Sequence, residues 1–123
     1  MGKEVSRQRA ITHTQAAQSA ADCVAQLAQF FPDVQPVQVR ADLLSLKHGA
    51  SKLQEKVLVE FASRDNAIFS STLPLEFSDR VRLQHAQENK FADAIVVAVQ
   101  YQDDRKAVAV RFSDGPSSWV NRP

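Results

Sequence analysis

The chain predicts a mainly β fold: a six-stranded antiparallel β-barrel preceded by one N-terminal α-helix. Three observations lead there. Residues 6–31 contain neither Pro nor Gly and are rich in Ala, the residue with the highest helix propensity. From about residue 55 onward, short runs rich in Val, Ile and Phe alternate with close polar turns. At 123 residues the chain suits one domain able to bury a core without disulfides or metals. Many short strands with tight turns imply a sandwich or a small closed barrel, and closure removes the exposed edges.

Taken in order, the helix comes first. Ala16, Ala17, Ala20, Val24, Leu27, Ala28 and Phe31 recur at i, i+3 and i+4 and form one apolar stripe. Methyl groups dominate its first half, so another backbone can approach closely. The stripe suits a partner helix or a second copy of the chain, and equally a helix packed across the open end of the barrel. Some 25 residues would span on the order of 37 Å, which is more than a small barrel needs. Pro32 stops the helix, and Pro32 and Pro36 make 32–36 an extended connector. The expected division is therefore 1–36, helix and connector, and 37–123, barrel with a short tail.

Val37-Gln-Val-Arg40 alternates and opens the first strand, whereas Ala41-Asp-Leu-Leu-Ser-Leu-Lys47 fits either more strand or a helical turn. Lys56-Val-Leu-Val-Glu-Phe61 is β-rich, and Ser63-Arg-Asp-Asn66 is a turn whose side chains accept local backbone bonds. Further strands are expected at about 67–72, 80–85, 92–101 and 106–113, the last two joined by a hairpin at Gln102-Asp-Asp-Arg105. Trp119 and Val120 in the tail are expected to fold back as an apolar plug.

Composition narrows the function. A formal net charge of +1 gives no global field towards nucleic acid or an anionic membrane. No apolar run approaches the roughly 20 residues of a membrane-spanning helix. The single Cys23 cannot form an internal disulfide, which fits a reducing cytoplasm. His13, His48 and His85 lie far apart, so no metal is expected. With three glycines there is no phosphate loop, and no nucleophile has a partnered base in the pattern. The chain reads as a non-enzyme without a cofactor.

Ala67-Ile-Phe69, Leu73-Pro-Leu75, Asp79-Arg-Val-Arg-Leu83 and Ala107-Val-Ala-Val-Arg-Phe112 follow one another in an order and spacing that resembles the PilZ domain, a bacterial receptor module for cyclic di-GMP. The resemblance covers roughly residues 40–113 and implies the barrel and a bacterial signalling setting. Members that bind the nucleotide carry Arg-x-x-x-Arg before the barrel and Asp/Asn-x-Ser-x-x-Gly at a strand turn. Placing Ala67 on the motif glycine puts Arg64 at the serine position and Ala62 at the Asp/Asn position, so none of the three matches. Arg40 stands where one arginine of the pair would be, with Pro36 and Leu44 at the flanking positions.

The resemblance thus implies a degenerate member, a protein-interaction adaptor in cyclic di-GMP-related regulation. Its partner, or a second copy, would meet the helix face Ala16, Ala17, Ala20, Val24, Leu27 and Phe31. The alternative is a direct cyclic di-GMP receptor with a divergent site of Arg40, Arg64, Asp65 and Asn66. Against these functional readings stand an ordinary polar turn at 64–66 and a plain surface arginine at 40. Arg80, Arg82 and Arg111 would line one wall if their strands were neighbours in matching register. Such a wall could take nucleic acid, but acids nearby and few stacking aromatics make this the least favoured reading.

Overall fold

The computed structural model describes residues 23–46 and 53–113. Residues 23–28 are helical. Six strands follow: β1 (Gln35–Ser45), β2 (Gln54–Ala62), β3 (Asn66–Ser71), β4 (Arg80–His85), β5 (Phe91–Gln102) and β6 (Arg105–Phe112). They close into a barrel in the order β1-β2-β3-β6-β5-β4, and every neighbouring pair is antiparallel. The expected mainly β, six-stranded antiparallel barrel with a helix before it is the observed architecture.

Strand alternation builds the interior. Leu43, Val59, Phe69, Val81, Leu83, Val96, Val108 and Val110 point inward and are fully buried. Each such side chain contributes roughly 1.5–3 kcal/mol relative to exposure. The ambiguous 41–47 stretch resolves as strand through Ser45, with Ala41, Leu43 and Ser45 buried and Asp42 and Leu44 on the outer side. Residues 47–52 lie outside the described residues, as does the expected plug at Trp119 and Val120.

The connection from β3 to β4 crosses one barrel end. Leu75 drops from it into the core, 1% exposed. Two charged groups hold this crossing. Glu55 of β2 accepts from the Ser71 hydroxyl at 2.7 Å, the Thr72 hydroxyl at 2.7 Å and the Thr72 N–H at 3.2 Å. Lys106 of β6 donates its Nζ proton to the Leu73 carbonyl oxygen and sits 5.7 Å from the Tyr101 ring centroid. At the same end Ser78 carries a φ of 78°, and its N–H donates to the Val96 carbonyl at 2.8 Å. Asp103, first of the two residues of the β5–β6 hairpin, has a φ of 52°, which a short polar side chain tolerates.

Residues 23–28 of the helix lie along the outside of the barrel wall and not across an open end. Cys23, Val24, Leu27 and Ala28 cover Ile68 of β3 and Ala107 and Ala109 of β6, with Phe31, Val34, Phe61, Val97 and Ala98 around them. The small outward residues Ala107 and Ala109 let the helix approach closely. Two contacts to Gln100 of β5 fix its position. The Cys23 thiol donates to the Gln100 carbonyl at 3.4 Å, and the Gln100 amide donates to Gln26 Oε1 at 3.0 Å. The helix ends in tight i→i+3 bonds, Phe30 N–H to Leu27 and Phe31 N–H to Ala28, ahead of Pro32.

Candidate binding surface

The turn between β2 and β3 is organised by Ser63. Its hydroxyl accepts the N–H of Asp65 at 3.2 Å and of Asn66 at 3.0 Å, while its own N–H donates to the Asn66 carbonyl at 2.8 Å. The Asn66 amide donates to the Val110 carbonyl at 3.2 Å, and the Asp65 carbonyl receives the Phe112 N–H at 2.8 Å. Most polar atoms of this turn are therefore engaged locally. Arg64 stands exposed at its tip.

Arg40 stands apart from that turn along the strand. It lies in the middle of β1 opposite Leu58, whereas the turn begins after Ala62, which pairs with Gln35. Four residues at about 3.3 Å each separate Leu58 from Ala62, so Arg40 is on the order of 13 Å from the start of the turn. The four proposed ligand residues thus fall into one turn, Arg64, Asp65 and Asn66, and one separate strand position.

Register brings other arginines to the turn. Asn66 of β3 is opposite Arg111 of β6, Arg111 is opposite Ile95 of β5, and Ile95 is opposite Arg80 of β4. All four point outward and form one transverse row across four strands. Neighbouring strands lie about 4.8 Å apart, so Arg111 and Arg80 flank Ile95 with backbones roughly 10 Å from each other. Both arginines are exposed, and among the described residues neither forms an ion pair.

Arg82, one outward position along β4, is engaged. Its Nε donates to Asp93 Oδ1 at 2.7 Å and its Nη2 to Oδ2 at 3.2 Å, a two-pronged grip. Its guanidinium also lies 4.3 Å over the ring of Phe91. The hydrogen bond from Arg82 holds the Asp93 carboxyl below its ordinary range against the opposing effect of burial, and Arg80 adds to the lowering. The three arginines thus share the wall that matching register would give them, with Asp93 and Ile95 set among them.

Groups with chemical potential elsewhere are built into the framework. Burial pushes the Cys23 thiol up, with a partial offset from the Ala107 backbone, and keeps it in the poorly nucleophilic protonated form. His85 Nδ1 accepts from the backbone N–H groups of Gln87 and Glu88, both at 3.2 Å, and shapes the β4–β5 turn. His13 and His48 lie outside the described residues. Of the helix stripe, Val24 and Leu27 are buried on the chain's own barrel and Phe31 packs against the same cluster. Ala16, Ala17 and Ala20 lie outside the described residues. Among the described residues, the outward aromatic surface consists of Phe30, Phe77, Phe91 and Tyr101, each more than half exposed.

Whether Arg80, Arg82 and Arg111 share one wall depends on which strands pair, and β6 reaches β3 only after two intervening strands. The one local signal was the alternation of Arg80, Arg82 and Arg111 with inward apolar residues. No family model, no curated protein and no solved structure matches the chain.

Proposed function

We propose that this chain is a non-catalytic regulatory module of the PilZ type, working as a protein-interaction adaptor in cyclic di-GMP-related regulation in a bacterial cytoplasm. The observation that carries this reading is the closed hydrogen-bonding of the 63–66 turn. The N–H groups of Asp65 and Asn66 and the Asn66 amide are spent on Ser63 and Val110, where a guanine would need open donors. The closed barrel is compatible with the resemblance, and the exposed arginines and aromatics offer surface for a protein contact.

A second reading has one observation in its favour. Arg111 sits across from Asn66, so an anionic nucleotide at the turn would be within reach of two guanidiniums, Arg64 and Arg111. Arg40, farther along β1, would be the outlying member of that site. Calorimetric titration with cyclic di-GMP, with GTP as control, separates the two. The adaptor gives no heat and no thermal shift. Selective binding at micromolar concentration or tighter, lost in Arg64→Ala and Arg111→Ala, replaces the adaptor with the receptor.

A further inference from the structure

We propose that the outward row Arg111–Ile95–Arg80 is a docking surface for an acidic, partly apolar segment of a protein partner. The proposal rests on the adaptor reading and names the surface through which it would work. Charge and shape on the wall select the occupant. Two exposed guanidiniums stand on either side of Ile95, which is itself only partly buried. A chain crossing the three strands can set one carboxylate on each arginine and an apolar side chain on Ile95 between them. Arg82, held by Asp93 on one side and stacked on Phe91 on the other, makes a rigid floor beside the row.

The same wall is poorly matched to a polyanion. Asp93 on β5, the outward position next to Ile95, and its bond to Arg82 interrupt the cationic surface. Phosphates repeating along a nucleic acid strand would meet that carboxylate within one residue of the row. An acidic protein segment can place neutral or apolar residues at that point. The helix borders the row, because Ala109 of the covered cluster is the next outward position after Arg111 on β6. A docked segment would therefore lie between the helix and β4.

The test uses the full chain and three probes: a fluorescein-labelled ten-residue peptide with leucines set among glutamates, its lysine counterpart, and a ten-nucleotide oligothymidylate. Fluorescence anisotropy should show binding of the glutamate peptide alone. Charge reversal at both exposed arginines, Arg80→Glu with Arg111→Glu, should weaken it about tenfold or more and transfer binding to the lysine peptide. Ile95→Asp should weaken the glutamate peptide without creating affinity for the lysine one. All positions are on the outer face, and an unchanged melting temperature shows that the variants fold.

Peptide binding that ignores the three substitutions, or no peptide binding at all, overturns the surface. If cyclic di-GMP then also gives no heat, the adaptor reading stands without it. Preferential binding of the oligothymidylate overturns the surface in favour of nucleic acid. Cyclic di-GMP binding that depends on Arg64 and Arg111 removes the surface and the adaptor together.

Discussion

Replacing Leu27 with Ala tests whether the helix is held by the barrel wall. Leu27 is 5% exposed and packs with Cys23, Val24 and Ala28 over Ile68, Ala107 and Ala109. The substitution removes three carbon groups, about 2.4 kcal/mol of transfer free energy at ~0.8 kcal/mol each. A cavity left behind adds to this, but an element seated on an outer wall can settle inward. The expected cost is therefore about 2–3 kcal/mol, in the lower part of the range for such truncations. Cys23 supplies the readout, since it is the single cysteine of the chain and is 2% exposed on the helix face turned to the barrel. Under conditions where reclosing outpaces alkylation, its labelling rate follows the population of the undocked state. At about 1.4 kcal/mol per factor of ten, Leu27→Ala should speed labelling roughly 30- to 140-fold. Phe30→Ala, an exposed position at the end of the same helix, should leave it unchanged. A thiol that reacts at the free rate in the unaltered protein, or at the same rate in Leu27→Ala, refutes the seating.

Leu75→Ala should cost about 2–5 kcal/mol in a urea titration, because the crossing segment is pinned at Ser71–Leu73 and cannot collapse into the void. Ser78→Gly should raise stability by about 1 kcal/mol in the same titration, since a φ of 78° penalises a residue with a Cβ and the Val96 bond is backbone-mediated. The Asp93 carboxyl is lowered in the folded state, so its contribution is complete above the ordinary value of 3.8 and fades as pH falls through the lower folded one. The stability gap between the unaltered protein and Asp93→Asn should be constant from pH 5 to 8 and shrink in acid. Glu60 behaves oppositely, because burial raises its carboxyl. Glu60→Gln should gain stability relative to the unaltered chain as pH rises through that raised value.

Much of the barrel was legible because its strands alternate cleanly. Arg80-Val-Arg-Leu83 and Ala107–Phe112 place apolar residues inward at every second position, and the strands observed there begin and end within about a residue of expectation. The stretch after Arg40 resisted reading for a physical reason. Ser45 faces the core and Leu44 faces out, so hydrophobicity no longer reports the pleat. The helix stripe was visible, but what covers it was not. Its counterpart is Ile68, Ala107 and Ala109, and these outward apolar residues read as ordinary strand until the helix is seen on them. The arginine row depended wholly on pairing, because Arg111 and Arg80 are 31 residues apart in sequence and meet only through β5.

The strand order also divides the chain into two three-stranded meanders, β1-β2-β3 and β4-β5-β6, each made by neighbours in sequence. They clasp along two seams, β3 with β6 and β1 with β4, whose partners are at least 35 residues apart. Loop-closure entropy opposes such distant pairings until the local ones exist. Each meander can therefore form first, and joining the two halves becomes the slow event in folding. Leu75 lies on the single connection between the halves and is buried in the core they share, so its packing is expected to lock late. Its truncation should speed unfolding far more than it slows folding, whereas a seam residue such as Leu43 or Phe69 should also register in the folding rate.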